Sequence, residues 1–384
     1  GPEWLLGRRL LAAALAEPGL PRMGREDFRY TDLRRLPEGL TAAEAPEAPP
    51  VLLPGSGALP LLTAITSEVP GSSRVGTLSV DEPMAALNLA AFHDGVFIRV
   101  PRGQVLEAPI ELDFTAERAH GVTFPRVLVV LEDGAQATVI ERHLGGEATL
   151  AVSVTECFVG RDATLRHVVR HQAGAGAFLG TTLAEVGQGG VFESHVVSLS
   201  TRLARSATHV RLAGPHASTR MNGVFAATEG QSLDHYTVID HAAPDTQSTQ
   251  RYRGVTLGKG VGSVVGRVLI GRGSVRSNAA QSLKALLLSE DATANLKPQL
   301  EIDCDDVKAA HGAAVGQLDP DQLFFLRARG LDEATARGLL LRGFLGELLD
   351  ALPSLPLASE STERMLRSLG LGSPSGWDER MELA

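Results

Sequence analysis

The chain has 384 residues, of which 43% are hydrophobic and 21% are charged, a balance typical of a folded protein with a large buried core. A formal net charge of −9 and only 4% aromatic residues supply neither the clustered cations nor the stacking platforms that nucleic-acid binding needs. The sequence has no apolar run of roughly 20 residues and no basic-then-apolar leader pattern, so we expect no membrane partner and a cytoplasmic location.

The first predicted element is a helix over Glu3–Ala16, where leucines recur near helical spacing with Arg8 and Arg9 between them. The stretch Pro37–Gly71 is rich in proline, alanine and glycine, which indicates irregular connections around one or two short elements. We therefore expect an N-terminal helical and irregular region over residues 1–74.

From about Val75 the sequence consists of short runs of valine, isoleucine, leucine and threonine that are interrupted by glycine and aspartate. This pattern is typical of β-strands, and Gly95–Pro101 and Arg126–Leu131 are two clear examples.

A glycine recurs in this region at spacings of 26, 27 and 27 residues, with a small residue three positions after each: Gly134, Gly160, Gly187 and Gly214. A fixed period of this length predicts a solenoid, because one unit cannot bury its apolar face without stacked neighbours. The units contain no amphipathic helix, so we predict a β-solenoid core over residues 75–316, with about nine coils and glycines at the corners. A β-sandwich with regular turns is the alternative, and the even spacing disfavours it.

After the predicted solenoid the sequence becomes helical, which defines a C-terminal helical domain over residues 317–384. Asp319 can cap a helix that begins at Pro320, and Gly330 can end that helix. Asp332 can cap a second helix, whose predicted apolar face consists of Leu339, Leu340, Phe344, Leu348 and Leu349. We expect this helical pair to pack against the open end of the solenoid or to receive a partner.

Two segments resemble a nucleotide-binding or a catalytic site, but the spacing of their residues argues against both. Gly254–Gly260 resembles a phosphate-binding loop, but it has three residues between the glycines instead of four and lacks the magnesium-binding Ser or Thr. Asp305 and Asp306 are adjacent, so on a strand they would point to opposite faces and could not act as an acid/base pair. A β-helical carbohydrate-active enzyme, either a lyase or a hydrolase, remains the alternative function.

Histidines and cysteines are the remaining candidates. His235 and His241 would share a strand face, but a single histidine on a strand is more often a satisfied polar group than a ligand. Cys157 and Cys304 are expected to be reduced thiols. Two cysteines cannot hold a four-thiolate cluster, so any cluster chemistry must be shared with a partner.

The C-terminal part of the strand region resembles the SufB/SufD family of the SUF iron–sulfur cluster assembly system, and its SufD members in particular. The matching segments are Leu296–Ile302, Asp305–Lys308, His311–Gly312, Val315–Asp319, Gln322–Phe324 and Arg327–Gly330. Earlier segments, including Glu26–Leu33, Asp94–Ile98 and Tyr252–Val255, extend the resemblance over nearly the whole chain.

The resemblance implies a right-handed parallel β-helix with helical ends that acts as a scaffold and not as an enzyme. It implies pairing with a SufB-like subunit through the β-helices, and docking of a SufC-like ABC-type ATPase on the C-terminal helices. The residues expected to bind the ATPase are Asp319, Gln322, Leu323, Phe324, Arg327, Arg329 and Phe344. The sequence also allows the isolated chain to form a homodimer through the SufB-binding surface.

The resemblance also implies a site for iron or a nascent cluster, because the family carries a Lys-Cys-x-His segment. In this chain only the histidine matches, as His311, and Ala309 occupies the cysteine position. Cys304 is a poor substitute, since on a regular strand it would face away from His311. We expect a metal role to depend on His311, with thiolates from the SufB-like partner and no cofactor held tightly by this chain alone.

Overall fold

The computed structural model describes residues 2–16, 25–42, 58–78, 82–116, 118–146 and 148–371. Residues 372–384 of the predicted C-terminal domain and residues 43–57 of the predicted irregular stretch lie outside this range. Within the described part of the chain, no helix is both long and apolar enough to cross a membrane.

The structure consists of helices at both ends and strands between them. The helices are α1 (Glu3–Ala16), α2 (Leu61–Thr66), α3 (Pro83–Ala91), α4 (Pro320–Arg327), α5 (Glu333–Leu349) and α6 (Leu355–Ser368). The early strands are β1 (Thr41–Ala42), β2 (Ala58–Pro60), β3 (Val96–Val100), β4 (Ile110–Ala116), β5 (Gly121–Thr123), β6 (Arg126–Leu131), β7 (Gln136–Gly145) and β8 (Leu150–Val159). The later strands are β9 (Thr164–Val186), β10 (Val191–Leu212), β11 (Ser218–Ala227), β12 (Ser232–His241), β13 (Gln247–Thr256), β14 (Val261–Ile270), β15 (Asn278–Leu287), β16 (Thr293–Ile302) and β17 (Lys308–Gly316).

The strands stack into a parallel β-solenoid of about eight turns, which confirms the predicted fold class. A first ladder joins β4, β7, β9, β10, β11, β13, β15 and β17, and a second joins β3, β6, β8, β9, β10, β12, β14 and β16. The long strands β9 and β10 belong to both ladders. Parallel pairing in every solenoid coil excludes the β-sandwich alternative.

One corner of the solenoid repeats a left-handed backbone conformation. Gly134, Asp162 and Gly189 have φ values of 71°, 54° and 63°, and each donates its backbone N–H to a carbonyl of the next coil. Gly160 stands two residues before this position, where an added Cβ would lie 2.8 Å from the Leu131 carbonyl oxygen. The predicted glycine repeat therefore located the corner, although it combined two different positions within it.

Helices cover the outer faces of both ladders. Helices α1, α2 and α3 pack with Phe97, Leu128 and Phe158 on the second ladder. Helices α5 and α6 pack with apolar residues of β10, β11 and β13 on the first ladder. The prediction that the C-terminal helices close the end of the solenoid was therefore wrong, because their apolar stripe meets an equally apolar strip on the side of the first ladder.

The N-terminal region differs from its prediction in two respects. Helix α1 has the predicted bounds, but Leu6 and Leu10 are exposed, and the buried side chains are Leu5 and Ala12. Helix α3 lies where the sequence indicated strands, and the first solenoid strand begins only at Val96. The sequence MAALNLAA of α3 is apolar on nearly all sides because the helix is buried between α1 and the solenoid, so it carries no amphipathic pattern.

The C-terminal caps follow the prediction closely. The Asp319 carboxylate accepts from the Asp321 and Gln322 N–H groups, Gly330 has φ +90°, and the Asp332 carboxylate accepts from the Thr335 N–H. The sequence did not predict α6. Ser354 caps this helix, because its hydroxyl accepts a hydrogen bond from the Leu357 N–H. The predicted face of α5 was only partly right, since Leu341 and Leu345 are buried and Leu339, Leu340 and Phe344 are half-buried.

Candidate functional site at the open end of the solenoid

The last coil leaves two strand edges open. Strand β17 pairs with β15, and β16 pairs with β14. These are the only register pairings of the two terminal strands within the described part of the chain. Ile302 and Val315 on these strands are 41% and 46% exposed. Open parallel edges with exposed apolar side chains provide a surface to which a further strand can add.

His311 lies on β17 at the end of a column of side chains that point into the solenoid. Its register partner is Gln281, whose own partners in successive coils are Gln250, Met221 and Ser194. Register partners in a parallel ladder point to the same side, and all four of these residues are buried. His311 is exposed only because no coil follows it.

A hydrogen-bonded glutamine pair leads from this histidine into the interior. The Gln281 amide donates to the side-chain oxygen of Gln250 at 2.9 Å, and the Gln250 amide donates to the Thr237 hydroxyl on the opposite ladder at 2.5 Å. Gln250 and Thr237 are fully buried. The two coils that precede the last one are therefore cross-linked beneath His311, which gives the open end a rigid floor.

The cysteine positions do not complete a ligand set around His311. Ala309 is half-buried and packs against the core with Cys304, which lies in the turn between β16 and β17. Cys157 is buried in β8, and burial raises the pKa of its thiol well above the usual value. Within the described residues, no three histidine, cysteine, aspartate or glutamate side chains come together in a way that could hold a metal ion.

Helix α4 projects from the body of the molecule and has no buried residue. Gln322, Phe324, Arg327 and Arg329, all predicted to bind the ATPase, are exposed, and Phe324 is 73% exposed. Phe325 was not predicted, although it lies next to Phe324 in the sequence, and it is 53% exposed.

The Arg329 guanidinium stacks on the Phe325 ring, 3.3 Å from its centroid. The two predicted residues that are less exposed have internal contacts. Leu323 is half-buried, and Phe344 packs against α6 and the first ladder, 5.9 Å from the Arg253 guanidinium. The structure therefore places Gln322, Phe324 and Arg327 on one exposed helix and Arg329 two residues beyond its end, and it leaves Phe344 on a different surface.

The earlier histidine candidates are buried polar groups of the interior, and Nδ1 of His235 has no hydrogen-bond partner among the described residues. His241 bonds the hydroxyls of Thr246 and Ser248 at 2.7 and 2.8 Å, and His235 bonds Ser198 at 3.2 Å. Both histidines are buried, and burial lowers the pKa of His241 to about 4 and that of His235 to about 3. They are neutral at pH 7, and His241 is a satisfied polar group of the kind that the sequence argument favoured.

A buried carboxylate belongs to the same interior. Burial alone would raise the pKa of Glu141, but its hydrogen bonds to His143 and His167 outweigh burial and hold this pKa well below the usual value. The two bonds measure 3.1 and 2.7 Å. The sequence did not reveal this group, because Glu141 and His143 are two residues apart on β7 but His167 comes from the neighbouring coil, 26 residues after Glu141.

The segment that resembles a phosphate-binding loop is a solenoid corner. Strand β13 ends at Thr256 and β14 begins at Val261, and Gly258 between them has φ +64°. A Cβ on Gly260 would lie 2.3 Å from the Ala227 carbonyl oxygen of the preceding coil. The glycines are therefore explained by the turn and by close stacking of the coils.

Taken with the helical ends, the stacked parallel coils define a β-solenoid protein whose last turn is open. Residues 114–344 match the family described as SUF system FeS cluster assembly, SufBD core domain. The chain belongs to this family, so it is a SufBD family iron–sulfur cluster assembly protein.

Several relatives agree with this assignment. An iron–sulfur cluster assembly SufBD family protein of Mycobacterium leprae is 30% identical over 339 residues, which cover 86% of each chain. The chloroplast protein ABCI7 of Arabidopsis thaliana is 30% identical over 76% of this chain, and the match spans 64% of that protein. The Bacillus subtilis protein SufD is 27% identical over 72% of this chain and 64% of its own length.

Proposed function

We propose that this chain is a SufD-type scaffold subunit that pairs with a SufB-like subunit and carries a SufC-like ATPase, without completing any catalytic step itself. The observation that carries the proposal is the open last coil, where His311 ends an inward-pointing column beside two unpaired strand edges. A partner strand added at this end would bury His311 and enclose it in the joined interior.

The proposed division of chemistry is supported by the described residues, among which no three potential metal ligands come together. His311 offers one imidazole ligand for iron or a nascent cluster, and soft thiolate ligands for such a cargo have to come from the SufB-like partner. The segment Gly254–Gly260, which resembles a phosphate-binding loop, is a corner of the solenoid. We therefore assign ATP hydrolysis to the SufC-like subunit. A cytoplasmic location stays a prediction.

The docking surface for the ATPase is assigned to helix α4. Phe324, Phe325 and the Arg329 guanidinium that stacks on Phe325 form an apolar and cationic surface on a projecting helix. Aromatic and arginine side chains dominate the binding energy of protein interfaces, which supports this assignment.

The pairing can be tested by coexpressing the chain with its SufB-like and SufC-like partners and purifying it by size-exclusion chromatography. We expect a complex with the wild type, and loss of the SufB-like subunit with Val315→Glu, because the substitution places a charge at the open edge. Val105→Glu is the matched control, since Val105 is 48% exposed at the other end of the solenoid.

Two results would contradict the pairing. One is retention of the SufB-like subunit by Val315→Glu, and the other is its equal loss from Val105→Glu. Mass determination of the wild-type chain alone shows whether it forms a homodimer. If it does, and Val315→Glu dissociates the homodimer, the same edge also joins two copies of this chain.

A further inference from the structure

A cleft of about 550 Å³ lies on the outer face of the second ladder, where residues of β10, β12 and β14 line it. Its floor includes Arg205 and His209 of β10 and Tyr236 of β12, and the segment Arg25–Asp27 forms its opposite wall. This volume lies within the range of about 300 to 1,000 Å³ that small-molecule sites occupy. Neither the open end nor helix α4 contributes to it.

The floor of the cleft contains a buried cation with unused donors. Arg205 is 1% exposed and donates through Nη1 to the Asp234 carboxylate at 3.2 Å. Its Nε and Nη2 have no hydrogen-bond partner among the described residues. The guanidinium lies 4.0 Å from the centre of the Phe28 ring and 5.1 Å from that of Tyr236, so its orientation is fixed by packing.

Two more polar atoms of the cleft have no partner in the described part of the chain. They are Nε2 of His209 and Oε1 of Glu82. Burial lowers the pKa of His209 to about 4, so its ring is neutral at pH 7, and burial raises the pKa of Glu82, which favours its uncharged form. Tyr236 offers a hydroxyl at the edge of the cleft, 3.3 Å from an Arg267 nitrogen.

The two carboxylates of the Arg25–Asp27 wall are already paired. The Asp27 carboxylate accepts two hydrogen bonds from Arg25, at 3.0 and 3.1 Å, and the Glu26 carboxylate pairs with Lys297 at 3.0 Å. These two carboxylates therefore do not occupy Nε and Nη2 of Arg205, which are buried and have no acceptor among the described residues. A buried guanidinium with two free N–H groups is satisfied by a planar or tetrahedral oxyanion that accepts both.

We propose that this cleft binds a small molecule bearing a carboxylate or phosphate group, which accepts hydrogen bonds from Nε and Nη2 of Arg205. The rest of the ligand lies against the His209 and Tyr236 rings, and Nε2 of His209 and the Glu82 carboxyl group provide further polar contacts. This site is separate from the proposed scaffold function and does not depend on it.

The test is isothermal titration calorimetry of the full chain with inorganic phosphate and with succinate, and glycerol serves as the uncharged control. Arg205→Lys keeps the charge but removes the two-pronged donor, whereas Val238→Trp fills the cleft from the ladder surface without touching Arg205. Arg276→Lys is the matched control, because Arg276 pairs with Asp245 at an exposed corner.

We expect saturable binding of at least one anion, a Kd raised about tenfold or more by Arg205→Lys, no binding by Val238→Trp and an unchanged Kd for Arg276→Lys. Binding of phosphate alone identifies a phosphate-bearing ligand, and binding of succinate alone identifies a carboxylate. Absence of saturable binding to the wild type, or an unchanged Kd in Val238→Trp, overturns the proposal. If Arg205→Lys does not fold, Val238→Trp still decides the result.

Discussion

Single residues inside this solenoid carry charge that their neighbours neutralise. Arg126 and Glu156 are both fully buried and form a salt bridge between β6 and β8. The same carboxylate accepts from the N–H groups of Gly76 and Leu78, which ties the N-terminal region to the solenoid. Sequence alone did not reveal this pair, because its members lie 30 residues apart and neither stands in a motif.

We predict that Arg126→Met destabilises the fold by about 3 to 5 kcal/mol, because it leaves the Glu156 carboxylate buried without its cation. The measurement is the free energy of unfolding from urea titration. Adding Glu156→Gln to Arg126→Met removes the unpaired charge and keeps an acceptor, so the double variant should recover part of the loss. A single variant as stable as the wild type would show that the pair contributes nothing.

His311 is the residue on which the proposed cargo handling depends. We predict that His311→Ala lowers iron–sulfur cluster formation on the assembled complex several-fold and leaves the melting temperature of the chain unchanged, because the side chain is exposed. Cluster content is measured by visible absorption and iron analysis. His93→Ala is the control, since His93 is also exposed but lies before the first solenoid strand. Equal cluster content in both variants would remove the ligand role.

At the scale of elements, the sequence predicted well those elements whose signals are local. The bounds of α1, β6 and α4 follow from spacing and caps, and the structure has them where the sequence placed them. Helix α3 was missed because burial on all sides erases its periodicity. The column that ends in His311 was missed because register between coils is a property of stacking, and spacing varies from 27 to 31 residues per coil.

Helix α4 is the element whose role is easiest to separate from stability. We predict that Phe324→Ala abolishes copurification of the SufC-like ATPase and leaves the SufB-like subunit bound, because Phe324 has few internal contacts at 73% exposure. Leu10→Ala is the control, since Leu10 is 63% exposed on α1. Retention of the ATPase by Phe324→Ala would place its docking surface elsewhere.

At the scale of the whole molecule, the interior is unusual in the number of neutral histidines that it buries. Burial lowers the pKa to about 4 for His195, His209 and His241 and to about 3 for His235. Such a core favours neutral imidazole, whereas an unfolded chain binds a proton to each histidine near pH 6.5.

The protein should therefore lose stability steeply as the pH falls from about 6.5 to 5, by about 2 kcal/mol for each of these histidines at pH 5. The unfolded state takes up protons there and the folded state does not. The raised pKa values of Glu82 and Asp234 act in the opposite sense, because the folded state binds their protons more readily. Urea titrations at pH 7, 6 and 5 measure the effect, and a flat profile would contradict it.

The repeated left-handed corner has a consequence for how such chains change in size. Gly134, Asp162 and Gly189 occupy one and the same structural position, and each is joined to its successor by the same backbone hydrogen bond. One coil of the solenoid can therefore be inserted or deleted at this corner without changing the structure of either end. The length of the solenoid then changes in steps of about 4.8 Å, and the number of coils sets the distance between the N-terminal helices and the open last coil.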